Sequence, residues 1–382
     1  MKSSWRSYGE IEVTSYLSIL KGDRHLDQRS EKEIYSMKLG IIGTGRIANR
    51  FVPETKYVEE IEPVSVYNPH EESAVYFADK WGLKSYFGRE SLSGFFDDID
   101  AVYIATPHRT HCEYIRMALE KGKHVLCEKP LTLVDKEAAE LFKLASDKSL
   151  ILMEAIKTAY CPGYKKLLET VRSGIIGEVL YIESCFTKLE KPDSRELTDK
   201  VTGGSFTELG TYVMLPILSL FGTEAEYDFQ RILREDGLDI FTKCNVLYEN
   251  GKLATATCGL GVKSEGRLVI SGTKGYILVP APWWKTTHFE VHFEDASDVR
   301  YFEEPFEGDG LRYELKEFFD LVKMTDAAVS SDASEDETIN ESGDVLNVKD
   351  IRTLKHSFSE ENSLQMARLM KEFLSTRSKT TG

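Results

Sequence analysis

Two glycines set directly behind a buried strand constrain this chain more than any other feature. Gly43-Thr44-Gly45-Arg46-Ile47-Ala48 follows the apolar run at 39–42 and opens a helical pattern, which is the setting a pyrophosphate-binding loop requires. Gly43 permits the tight turn and Gly45 lets the backbone approach the pyrophosphate. Ala48 allows close helix-sheet packing, while the first helical amides face the anion. Thr44, Arg46 and Ile47 complete the surface this loop offers a dinucleotide.

The surrounding rhythm agrees. Residues 39–42, 63–67, 101–105, 124–127 and 151–153 are almost wholly apolar, as strands buried on both faces are. Amphipathic segments at 47–57, 71–81, 111–121 and 135–146 separate them, the last ones entered by Thr or Asp caps. Strand-helix alternation predicts an α/β fold beginning with a parallel, doubly wound Rossmann domain over 37–155.

After residue 153 the texture changes. Alternating strands at 179–186, 242–247, 253–259, 268–271, 276–279 and 289–293 are punctuated by turns such as Glu249-Asn250-Gly251 and Gly272-Thr273-Lys274-Gly275,. Helical patterns at 162–173, 206–220 and 311–324 cover one side. The expectation is an α+β domain over 156–382 with an open-faced, mainly antiparallel sheet. Within it, 330–350 is rich in Ser, Asp and Glu and is expected to be a mobile acidic loop. The helix at 360–374 offers Leu364, Ala367, Leu369, Met370 and Phe373 as an inward stripe.

Composition removes several function classes. With 48 basic and 63 acidic residues the formal charge is −15, which repels nucleic acid and anionic membrane surfaces. The longest apolar runs, 149–155 and 212–221, fall short of the roughly 20 residues that span a bilayer. Cys112, Cys127, Cys161, Cys185, Cys244 and Cys258 include no C-x-x-C pair and mostly sit in apolar runs, so they read as reduced core thiols in a cytoplasmic protein with no bound metal. Residues 1–36 lack the apolar core of a signal peptide and carry too many acids for a transit peptide. They read as a poorly ordered or loosely packed extension, with Met37 a conceivable internal start.

About 20 residues beyond the glycine loop an acid is expected to hold the adenosine ribose. Tyr67-Asn68-Pro69-His70 stands there instead. With Asn68 in that place nothing repels a 2′-phosphate and Arg46 could pair with one, so the reading tilts from NAD toward NADP. At the carboxyl end of the strand at 124–127 comes Cys127-Glu128-Lys129-Pro130-Leu131. Strand ends in a doubly wound sheet face the ligand crevice, and Pro130 fixes a turn, possible in the cis form, that aims Lys129 inward.

These stretches, with Ala105-Thr106-Pro107-His108, His111, Gly122-Lys123-His124-Val125-Leu126, Gly174-Ile175-Ile176-Gly177-Glu178-Val179 and Gly203-Gly204-Ser205-Phe206-Thr207-Glu208-Leu209-Gly210-Thr211-Tyr212, give the chain a clear resemblance. From about residue 38 to 222 it resembles the glucose-fructose oxidoreductase and inositol dehydrogenase family of NAD(P)-dependent enzymes, in its dihydrodiol-dehydrogenase-like branch. The resemblance implies a dehydrogenase or reductase acting on CH–OH groups of a sugar, polyol or dihydrodiol. It implies a cofactor site that also uses Thr106, Pro107, His108, His111, Glu128 and Lys129, and a homodimer or higher homo-oligomer formed through the open sheet face.

In that family the stretch matching Glu208 to Tyr212 normally begins with Asp and ends with the residue that exchanges a proton with the substrate hydroxyl. The resemblance therefore implies a catalytic set of Lys129, Tyr212 and Glu208. Lys129 is expected to lower the Tyr212 pKa from its ordinary value of about 10. After Glu154-Ala155 the family's Tyr branches carry an Arg, but Ala159 stands in that place. Lys157, with Tyr160 beside it, is expected to supply positive charge to the substrate. Trp283-Trp284 point opposite ways, so at most one of them lines a pocket. Rival readings are an NAD-dependent glycosidase of the same family and a non-catalytic NAD(P)-binding sensor.

Overall fold

The computed structural model describes residues 36–332 and 358–377. The expected extension, apart from Ser36, and most of the acidic segment lie outside the described residues.

β1 (Met37–Ile42), β2 (Ile61–Asn68), β3 (Lys84–Phe87), β4 (Ala101–Ile104), β5 (His124–Glu128) and β6 (Leu152–Ala155) form one sheet in the order β3-β2-β1-β4-β5-β6. Every pairing in it is parallel. Period-2 alternation divides its strands between two cores: Leu39, Ile41, Ala101 and Tyr103 pack on one face, Ile42, Val102 and Ile104 on the other,. Helices α1 (Arg46–Thr55), α2 (Glu71–Trp81), α3 (Leu92–Asp97), α4 (His111–Glu120) and α5 (Asp135–Asp147) connect the strands. The strand order reverses between β1 and β4, which opens a crevice at their carboxyl ends.

The chain continues through α6 (Lys157–Tyr160), α7 (Pro162–Arg172), β7 (Val179–Thr187), α8 (Arg195–Thr198) and α9 (Ser205–Phe221). Then follow β8 (Glu226–Leu233), β9 (Asp239–Leu247), β10 (Leu253–Gly259), β11 (Leu268–Gly272), β12 (Gly275–Val279), β13 (His288–Phe293) and β14 (Val299–Glu303). The second sheet runs β14-β13-β12-β11-β7-β10-β9-β8. It is antiparallel except for the β7–β10 pair.

Helix α9 lies across β7, β9 and β10, covering Cys244, Val246, Ala254, Ala256 and Cys258, which are all buried. The opposite face exposes Ile232, Leu247, Leu253, Tyr276 and Tyr301, so the sheet is open-faced as expected. Two last helices, α10 (Leu311–Asp332) and α11 (Glu360–Arg377), return to the first domain: α10 packs on α1 and α6, and α11 on α5 and α9. Ala367, Leu369, Met370 and Phe373 form the buried stripe of α11, with Leu364 half-buried at its edge.

Two local expectations are corrected. Neither α4 nor α5 carries a side-chain cap: Thr110 directs its hydroxyl to Pro107 O and Thr106 Oγ1, and Val134 rather than Asp135 occupies the cap of α5. Asp135 and Glu137 favour the start of α5 through their charge on its first turn instead,. The strands β3, β8 and β14 had no sequence signal, and all three are edge strands. Each of the three is half-solvated and carries polar side chains, so it shows no buried apolar run, unlike the edge strand β6, whose residues are all buried,.

Candidate active site

The crevice is built around the β1–α1 loop. Gly43 sits at φ +105°, and a Cβ there would come within 2.4 Å of Ala105 O, so only glycine fits without strain. Gly45 has ordinary extended backbone, and a Cβ there would meet no atom within 4 Å. The space in front of Gly45 is open, and the first amides of α1 have no side-chain cap. This is the cradle an anionic pyrophosphate fits. Asn68 ends β2 beside it, donating from Nδ2 to Thr44 Oγ1 at 2.8 Å and accepting the His70 N–H at 2.9 Å. No carboxylate occupies the ribose position.

Lys129 leaves the end of β5 through a cis Lys129-Pro130 peptide. Its Nζ donates to Glu208 O at 3.0 Å, lies 3.9 Å from Glu208 Oε2, and stands 5.7 Å from the centre of the Tyr212 ring. Glu208 and Tyr212 are one helical turn apart on α9, which is why the two reach the same point. The Glu208 carboxylate also accepts from Arg195 at 2.8 Å. His108 lies 3.7 Å from that same carboxylate, but burial, with Lys129, His111 and Arg195 nearby, holds its pKa well below the ordinary value, so it is neutral. Glu128 accepts the Tyr103 hydroxyl at 2.7 Å, and burial raises its carboxyl pKa.

The expected lowering of the Tyr212 pKa is not found. Burial raises it, and Glu128 and Glu314 add to the rise. The phenol is therefore neutral around pH 7, a proton donor rather than a standing phenolate.

Arg46, Ile47, Thr106, His108, Glu128, Lys129, Lys157, Glu208 and Tyr212 line one cleft of about 370 Å³. His111 is buried behind it, with ring nitrogens 2.9 Å from Pro130 O and 3.0 Å from Thr106 O. It ties the loop after β4, including Pro107, to the turn after β5. Lys157 is nearly buried and donates to Asp309 O at 2.6 Å. Tyr160 is not brought to the cleft: its hydroxyl points to Phe358 O, and its ring lines a separate cavity with Glu154 and Ser363.

Several cleft residues escaped the sequence reading. Arg50, Phe186, Lys188, Arg195, Glu196 and Lys285 line it as well, and Glu196 pairs with Arg46 at 2.8 Å. Arg50 was legible in principle, one turn beyond Arg46 on α1. The others come from β7, α8 and a short turn, none with a motif. The tryptophan pair divides as expected: Trp283 is fully buried with Nε1 bonded to Cys185 O, whereas Trp284 stacks flat on Phe186 at 3.5 Å and faces the cleft. Among the described residues no group of three His, Cys, Asp or Glu is placed to hold a metal ion, and no helix is long and apolar enough to cross a membrane.

Residues 37–156 match the family described as an oxidoreductase family with an NAD-binding Rossmann fold, and residues 164–278 match the GFO/IDH/MocA C-terminal domain. The chain is 28% identical over 287 residues to a trans-1,2-dihydrobenzene-1,2-diol dehydrogenase of Xenopus laevis, covering 73% of this chain and 87% of that one. A dTDP-3,4-didehydro-2,6-dideoxy-alpha-D-glucose 3-reductase of Actinomadura kijaniata is 30% identical over 230 residues, 59% of this chain and 69% of the relative. A solved 3-ketoreductase of Actinomadura kijaniata, in complex with TDP-benzene and NADP, superposes with a TM-score of 0.71 at 22% identity, covering 89% of this chain and 97% of that one. The chain therefore belongs to the glucose-fructose oxidoreductase, inositol dehydrogenase and MocA family of NAD(P)-dependent oxidoreductases.

Proposed function

We propose that this protein transfers a hydride reversibly between a nicotinamide dinucleotide and the carbinol or carbonyl carbon of a sugar, polyol or dihydrodiol. The observation that carries this reading is the convergence of Lys129 and Tyr212, with the Lys129 Nζ 5.7 Å from the centre of the Tyr212 ring, in the cleft that Arg46 and Ile47 line directly after the Gly43–Gly45 loop. Bound at that loop, the dinucleotide supplies the hydride donor or acceptor. In the reducing direction the Tyr212 hydroxyl gives its proton to the carbonyl oxygen as the carbon takes up hydride; in the oxidising direction both move the other way. The Lys129 ammonium stabilises the negative charge that grows on that oxygen. Glu208 holds Lys129 through its carbonyl and carboxylate and is held in turn by Arg195.

Asn68 in the ribose position favours NADP over NAD, since no carboxylate repels a 2′-phosphate. The solved 3-ketoreductase binds NADP, and a 26%-identical relative in Bacillus subtilis (strain 168) is an NADP(+)-dependent scyllo-inositol 2-dehydrogenase. Lys157 faces the substrate side of the cleft. The open face of the second sheet is proposed as a homodimer surface. The protein is assigned to the cytoplasm on its six unbridged cysteines, and subcellular fractionation that finds it elsewhere would defeat this assignment.

Replacing Lys129 with Met is expected to lower kcat/KM by about two orders of magnitude or more, with dinucleotide binding still measurable. Unchanged turnover would remove Lys129 from the reaction.

A further inference from the structure

The substrate end of the cleft is charged in a way that a neutral sugar does not need. Arg50, Lys157 and Lys285 all line it. Asp309 binds Arg50 through two hydrogen bonds of 3.0 and 2.5 Å, offers Lys157 its backbone carbonyl, and feels Lys285 through space, while burial and Arg50 lower the Lys157 pKa against the pull of Glu314 and Asp309. Among the described residues Lys285 has no carboxylate within ion-pair distance; its ammonium lies 5.7 Å from the centre of the Phe306 ring. Among the described residues, then, only Arg50 of the three has a carboxylate within ion-pair distance. Burial raises the carboxyl pKa of Glu128, which lines the cleft, and of Glu314.

This arrangement stands in a chain whose formal charge is −15. Partly desolvated cations without counter-charge are costly, so such a cluster is poised for an anion. Donor inventory points the same way. A neutral polyol presents hydroxyls that both donate and accept, whereas guanidinium and ammonium groups only donate and match a carboxylate or phosphate best. Beside them Trp284 and Phe186 stack into a flat wall, with Tyr212 edge-on to Phe186 at 5.3 Å. Such a wall suits the apolar face of a sugar ring. Lys285 and Trp284 are neighbours on one turn and Lys157 opens α6, elements apart from the glycine loop, whereas Arg50 lies on α1 one turn beyond Arg46.

The geometry points to an acidic sugar as the substrate. Its ring lies against Trp284 and Phe186, its reacting carbon lies at Tyr212 and Lys129, and its carboxylate or phosphate lies at Lys285 and Lys157. This inference rests on the oxidoreductase reading and narrows it to anionic substrates.

The test is equilibrium binding to the full-length protein saturated with NADP+, using D-glucose, D-glucuronate and D-glucose 6-phosphate as matched probes. At least one acid is expected to bind about tenfold or more tighter than glucose, with a preference that shrinks as salt is raised. Whichever acid binds more tightly identifies a carboxylate or a phosphate as the natural group. The Lys285→Met variant is expected to lose most of the preference while keeping its NADP+ affinity, which shows that it is folded. Equal affinity for all three probes overturns the inference, and so does failure of all three to bind or a full acid preference in Lys285→Met. None of those results touches the hydride-transfer reading, which fails separately if Lys129→Met turns over normally.

Discussion

At the scale of single residues, the two glycines of the β1–α1 loop carry different burdens. Gly43 is required by the backbone, being at φ +105° against Ala105 O, whereas Gly45 is compatible with any residue and faces open space. Gly43→Ala is expected to destabilise the fold by roughly 1–3 kcal/mol. Gly45→Asp, which places a good helix cap with a negative charge in the cradle, is expected to leave the melting temperature unchanged or higher and to weaken dinucleotide binding about tenfold or more. Calorimetry and dinucleotide titration check the pair; a Gly45→Asp variant that binds normally would mean the pyrophosphate lies elsewhere. The loop, Lys129, Glu208 and Tyr212 were all legible because each belongs to a short motif next to a buried element. The protonation of Tyr212 was not, because it follows first from burial and then from Glu128 and Glu314 acting from β5 and α10, and sequence spacing says nothing about that approach. Tyr160 misled for a related reason: a four-residue helix turns its ring away from Lys157, into the cavity beneath Phe358.

At the scale of elements, the buried strands of the first sheet announced themselves, the edge strand β6 included, and the half-solvated edge strands β3, β8 and β14 did not. Strand β8 alternates exposed and half-buried residues from Glu226 to Leu233 without one fully buried side chain, so no apolar run marks it. The docking of α11 was legible from its stripe, but the polar contact beneath it was not. Glu154, at the end of β6, takes the Leu131 N–H at 3.1 Å and lines a cavity closed by Phe358 and Ser363. Burial pushes its carboxyl pKa up to about 7. Its ordinary value is 4.5, so across the window between the two the folded state binds the extra proton. Stability is full at the acid end and is lost as pH rises toward 7, by about 3 kcal/mol if the unfolded chain titrates normally. Glu154→Gln keeps an acceptor for Leu131 and is expected to flatten that decline in urea midpoints measured from pH 5 to pH 8 (roughly the window the linkage defines). The same decline in the Gln variant would assign it to another group.

At the scale of the whole molecule, the cleft is held in shape by contacts between halves far apart in sequence. Arg312, opening α10, makes two hydrogen bonds of 3.0 and 2.9 Å to the buried Glu54 of α1. Arg50 reaches Asp309 in the same corner. These links set the cationic end of the cleft, and they join residues about 250 positions apart, which is why its charge, Lys157 apart, was invisible in the sequence while the fold class was plain. On the opposite side of the second sheet, Leu247 and Leu253 face each other across β9 and β10 and are both exposed. If this face is the dimer surface, light scattering of the wild type should give twice the chain mass of 43.4 kDa, and Leu247→Lys should give a monomer. A monomeric wild type would end that proposal. Net hydride transfer is measured directly by nicotinamide absorbance during incubation with neutral and acidic sugars, polyols and dihydrodiols, each with NADP+ and with NAD+. Net formation of reduced cofactor with at least one of these substrates, faster with NADP+, is the predicted result. A dinucleotide that stays bound through purification while no substrate changes its redox state would contradict the account and favour a glycosidase or a sensor built on the same fold.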